Sequence, residues 1–119
     1  MTTVLAALVV LIAIEHLWFL ILEMFLWTRP IGLKTFRNTP ERARQSAALA
    51  ANQGLYNGFL AARLLWGAFH PVPEVAWQLR AFFLGCVAVA GVYGAITVSR
   101  RILYVQAVPA LVGVALAWL

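Results

Sequence analysis

Four long apolar stretches divide the chain, and polar residues collect between them. The first runs from about Thr3 to Trp27 and stops at Thr28-Arg29-Pro30. The second runs from about Ser46 to Ala68 and stops before His70-Pro71-Val72-Pro73. The third covers about Val75 to Val98, and the fourth about Ile102 to Leu119. A helix rising ~1.5 Å per residue crosses a hydrocarbon core ~30 Å thick with about 20 apolar residues. Each stretch therefore reads as a transmembrane helix, the fourth only just long enough. None alternates polar and apolar residues as barrel strands do. The pattern predicts an all-α fold, an integral membrane four-helix bundle forming one domain over residues 1–119. Pro109 predicts a kink in the fourth helix, because proline removes a helical donor and crowds the preceding turn. Asn38-Thr39-Pro40-Glu41 reads as a helix start, with Thr39 as N-cap and Pro40 at the first helical position, so the second helix begins near Pro40.

Composition agrees with the pattern. The chain is 64% hydrophobic and only 11% charged, with a mean hydropathy of +0.89, against about 25% charged residues in a soluble domain. So few charges cannot coat a small soluble sphere. Lys and Arg then set the orientation. Arg29, Lys34, Arg37, Arg42 and Arg44 lie between the first two stretches, and Arg100 and Arg101 between the last two. Arg80, near Glu74, is the one basic residue assigned to the opposite side. The two basic loops face the cytoplasm, giving N-out and C-out, in a multi-pass membrane protein. The first stretch lacks a basic leader and exceeds the ~7–15 residues of a signal-peptide core, so it is expected to remain as a span. The net charge of +5 sits in short loops suited to lipid headgroups and forms no broad basic face for nucleic acid. Cys86 is the single cysteine; it permits no internal disulfide and is expected to pack as a small apolar residue.

Polar residues inside the stretches carry the functional signal, since a charge at mid-bilayer costs on the order of 3 kcal/mol. The first stretch holds Glu15, His16 and Glu23, and the second holds Asn52, Gln53, Tyr56, Asn57 and Arg63. At ~100° per residue, His16 and Glu23 lie about 20° apart, and Glu15 about 80° from Glu23. Asn52, Tyr56 and Arg63 fall within about 40°, and Gln53 and Asn57 widen that arc to about 140°. Tyr93, Thr97 and Gln106 add polar groups at comparable depth. The expected site is one polar cavity opening inward, with Glu15, His16, Glu23, Asn52, Gln53, Tyr56, Asn57, Tyr93 and Gln106 as candidate ligand contacts. Asn52 is also expected to bond across helices. Arg63 is expected to snorkel at the outer interface, and the five tryptophans to anchor at the interfaces. Gly85, Ala88, Gly91, Gly94 and Ala95 are expected to serve close packing within the bundle. No phosphate-binding glycine loop or metal-ligand spacing is present, so no cofactor or metal is expected.

Glu23-Met24-Phe25-Leu26-Trp27-Thr28, followed by Asn52-Gln53-Gly54-Leu55-Tyr56-Asn57-Gly58-Phe59-Leu60-Ala61-Ala62, resembles the bacterial family catalogued as domain of unknown function 1304. Phe83-Leu84-Gly85-Cys86, Ala90-Gly91-Val92-Tyr93-Gly94 and Gln106-Ala107-Val108-Pro109-Ala110 fit the same pattern. Arg63 stands where that pattern has a small residue, so no family-wide role is carried onto it. The resemblance implies a four-span fold and a location in the bacterial inner membrane, and no activity. Three functions follow from the residues: an inward-opening site that binds or acts on a small lipophilic molecule, a small proton-coupled dimeric transporter, and an accessory subunit of a membrane complex. The expected partners are membrane lipids, a small lipophilic ligand, and a second copy of the chain or a larger membrane complex.

Overall fold

A computed structural model describes residues 2–118. Five helices follow one another: α1 (Thr3–Met24), α2 (Pro30–Phe36), α3 (Pro40–Phe69), α4 (Pro73–Thr97) and α5 (Arg100–Trp118), with no strand among the described residues. The all-α expectation holds. Helices α1, α4 and α5 are each long and apolar enough to cross a membrane. Helix α3 is longer than any of them at 30 residues, about 45 Å at the standard rise. It is more polar than they are, carrying Glu41, Arg42, Arg44, Asn52, Gln53, Asn57 and Arg63. Leu119, the last residue assigned to the fourth stretch, lies outside the described residues.

The chain divides into two compact units, one of Ile14–Ala61 and one of Met1–Ala13 with Ala62–Leu119. In the first unit, α1 ends at Met24 and a turn leads to Arg29; Arg29, extended at φ −83°, ψ 160°, has the geometry that proline imposes on the residue before it. Pro30 opens α2, a short helix that sequence periodicity leaves inside the first basic loop. Arg37 closes α2 in the left-handed region, φ 51°, with its N–H donating to the Lys34 carbonyl and that of Asn38 to Leu33. The predicted start of α3 is present: the Arg42 N–H donates to Thr39 Oγ1 at 3.2 Å. Trp27 Nε1–H donates to Ser46 Oγ at 3.1 Å, and its ring lies 4.9 Å from that of Phe36. The turn between α1 and α3 is thereby fastened by an aromatic pair and one indole hydrogen bond.

In the other unit α4 and α5 form an antiparallel hairpin around Val98 and Ser99, whose side chain accepts from the Arg101 N–H. Gly91 explains how closely the two helices approach, since a Cβ there would stand 2.7 Å from the backbone nitrogen of Ala107. Leu84, Val87, Ala88, Gly91, Ala107, Ala110 and Gly113 are buried along this contact. Of the small residues predicted to pack, Ala88 and Gly91 do so, whereas Gly85 meets nothing within 4 Å. Trp77 Nε1–H donates to the Ala117 carbonyl at 2.7 Å, using one of the orphan acceptors at a helix C-terminus.

The disturbance expected from Pro109 takes a definite form. Leu103–Ala107 is π-helical, and the Val108 N–H reaches back five residues to the Leu103 carbonyl. The wider turn relieves the ring of Pro109, which has no N–H to offer Val105 and would crowd its carbonyl in a regular α-helix.

Candidate functional site

The polar residues of Ile14–Ala61 are positioned by how α1 meets α3. Gly54 and Gly58 are spaced as a small-xxx-small pair, which lets one helix backbone approach another. A Cβ on Gly54 would stand 2.7 Å from Met24 Cγ, 3.1 Å from Glu23 Cβ and 3.2 Å from the Leu20 carbonyl oxygen. A Cβ on Gly58 would lie 2.6 Å from Leu20 Cδ1. Leu20, Glu23 and Met24 thus occupy the space that two absent side chains leave. That docking sets the register: Asn57 Nδ2–H donates to Glu23 Oε1 at 2.6 Å, across 34 residues of sequence. Both side chains are half-buried. The amide donor fixes how the carboxyl group is turned. Glu23 Oε2 accepts none among the described residues.

Higher on α1, His16 is buried, with its ring edge-to-face against Phe19 at 5.5 Å. Glu15 beside it is half-buried, and its Oε1 is sealed from outside without a hydrogen-bond partner. Such an oxygen is rare in a folded protein and marks either stored strain or a place for a missing group.

The remaining candidates of this unit do not join Glu23. Asn52, Gln53 and Tyr56 are exposed on α3. Asn52 lies about 200° around the helix from Gly54, so the face that receives α1 is the one opposite it. The interhelical hydrogen bond expected of Asn52 is made by Asn57 instead. The shared polar arc of α3 is real on the helical wheel, but its edge at Asn57 turns inward while the other end, at Asn52 and Tyr56, turns out.

In the other unit Tyr93 is exposed and lines a shallow apolar groove with Ala88, Val89, Val92, Ile96 and Leu111. Gln106 sits in the π-helical turn, half-buried, and donates from Nε2 to the Val87 carbonyl at the long distance of 3.5 Å. Arg63 is exposed and stands 5.4 Å over the ring of Phe83. Cys86 is exposed and does not pack in the core as expected; on a helix with apolar residues all round, a small apolar side chain is equally at home on either face.

Sequence reading missed Arg80, taken as a charge at the outer side between two spans. It lies within α4, only 6% exposed, with a guanidinium nitrogen donating to the Gly67 carbonyl at 3.2 Å. Gly67 is in the last turn of α3, where carbonyls have no helical partner and a cation is favourable. The short His70-Pro71-Val72 connection and the missing side chain at Gly67 were the available signals.

Among the described residues no three His, Cys, Asp or Glu side chains gather as metal ligands. The chemistry on offer is a carboxyl oxygen with a free acceptor, oriented by an amide, and a second carboxyl with one sealed oxygen. No curated protein and no solved structure matches this chain. A family model described as "Protein of unknown function (DUF1304)" matches residues 10–118, and the chain belongs to that family.

Proposed function

We propose that this is a multi-pass protein of the bacterial inner membrane that binds a small lipophilic molecule at the Glu23–Asn57 pair. The observation that carries the reading is the 2.6 Å hydrogen bond from Asn57 to Glu23 Oε1, which leaves Oε2 as an acceptor. A carboxyl group inside a membrane is costly, and where one persists it marks a functional site by default. The ligand suited to it carries a hydrogen-bond donor, a hydroxyl or an amine, on an otherwise apolar body. Helix α3 serves as a fourth span in this reading. Its polar residues lower its hydropathy, but its length and the absence of Lys, Arg, Asp and Glu between Gln45 and Ala62 support a crossing. The basic loops face the cytoplasm, so the site opens from the inner side.

Two measurements test this. Cysteines placed at Lys34 and Val72, in a Cys86→Ala background, are expected to label from opposite sides of the membrane, Lys34 from within. Labelling of both from one side overturns the four-span topology. Mass spectrometry of small molecules copurified in mild detergent is expected to find a species retained by the wild type and lost in Glu23→Gln. A wild type that carries nothing specific overturns the binding reading.

A further inference from the structure

The outward face of α3 presents amides where a lipid-facing helix would carry none. Leu49, Asn52, Tyr56 and Phe59 recur at intervals of three and four residues, the spacing of a helix–helix seam. All four are exposed, Leu49 at 71% and Tyr56 at 60%, and Gln53 is exposed at the flank. Neither Asn52 nor Gln53 makes a side-chain hydrogen bond among the described residues. We propose that this face is a two-fold seam with a second copy of the chain. The proposal rests on the reading of α3 as a span and is independent of the ligand reading, because Asn57 and Gly54 lie on the opposite side of the helix.

The chemistry selects the partner. An amide left unpaired in hydrocarbon loses its hydrogen bonds to water and gains nothing in return. Asn and Gln each carry donor and acceptor on one group, so in a two-fold arrangement each Asn52 gives to and receives from its twin. A buried asparagine pair of this kind fixes register and favours dimers in water-soluble helical seams. An anionic lipid headgroup is a poorer occupant, since no Lys or Arg lies between Gln45 and Ala62 to meet its charge. Tyr56 and Phe59, edge-to-face at 6.0 Å, form a rigid aromatic flank to the amides.

The test uses the full chain in sealed liposomes, with single cysteines in a Cys86→Ala background. Asn52→Cys and Tyr56→Cys are expected to form disulfide-linked dimers on mild oxidation. Ile14→Cys, on an exposed position of α1, is expected to form few. Positions 52 and 56 that are shielded from a water-soluble maleimide yet fail to cross-link overturn the seam alone. Ready labelling of Asn52→Cys by that maleimide overturns the membrane placement of α3 as well. Asn52→Leu, at an exposed position whose side chain makes no hydrogen bond among the described residues, is expected to keep its helical content while its dimerisation, followed by energy transfer on dilution into lipid, weakens about tenfold. Unchanged or tighter association of Asn52→Leu overturns the role given to the amide.

Discussion

The α1–α3 contact and the α4–α5 contact use one device to different ends. In each, glycines remove side chains so that a neighbouring helix can approach. Gly91 admits the backbone of Ala107, and the side chains fully buried along that contact are apolar. Gly54 and Gly58 admit the side chains of Leu20 and Met24 and bring a carboxyl to an amide. The first contact holds a hairpin together; the second also sets the position of a polar pair. The same closeness is backed by a rigid neighbour in one case and a yielding one in the other. A methyl on Gly91 or on Gly54 meets its nearest atom at 2.7 Å in both, but that atom is backbone in Ala107 and the Cγ of a flexible Met24 in the other.

The comparison breaks first at Gly91. Gly91→Ala forces α4 and α5 apart and is expected to cost about 3 kcal/mol, the upper end for overpacking a close contact. Gly54→Ala is expected to cost about 1 kcal/mol as Met24 swings aside, while displacing Glu23 enough to weaken ligand retention. Thermal unfolding of both variants in one detergent checks this; equal losses would show that neighbour rigidity does not decide the cost.

Within the polar contact, Asn57→Ala removes the interhelical hydrogen bond and is expected to cost about 1 kcal/mol. Asn52→Ala, compared in detergent at a dilution that separates any dimer, is expected to change stability by less than about 0.5 kcal/mol, as for other exposed positions. A larger loss for Asn52→Ala than for Asn57→Ala would reverse the assignment of inner and outer faces on α3. Glu23→Gln retains the shape and an acceptor oxygen for Asn57, so its stability is expected to stay within about 1 kcal/mol of wild type while copurified ligand disappears.

An effect of the opposite sign is expected in the connection between the two contacting helices. Arg37 holds φ at 51°, a conformation that disfavours a side chain by about 1 kcal/mol and suits glycine. Arg37→Gly is expected to stabilise by up to about 1 kcal/mol in unfolding experiments, less the added freedom of glycine in the unfolded chain. A destabilised variant would mean that the Arg37 side chain contributes more than its backbone costs.

Local signals were enough for the course of the chain. Apolar length marked α1, α4 and α5, Pro30 and Pro73 opened helices where proline is tolerated, and Thr39 capped α3 where its hydroxyl can reach a free N–H. These are interactions over a few residues, and the residues themselves declare them. The rotation of each helix about its axis was decided by tertiary structure alone. In a soluble helix the polar face announces the outside, but in a helix apolar all round that contrast is missing, and a polar arc reads the same turned in or out. Small residues settled the matter: Gly54 and Gly58 fixed which edge of the α3 arc met Glu23, and Gly67 made room for Arg80. A missing side chain acts through the neighbour that fills its place, and which neighbour that is becomes known only when the helices have packed.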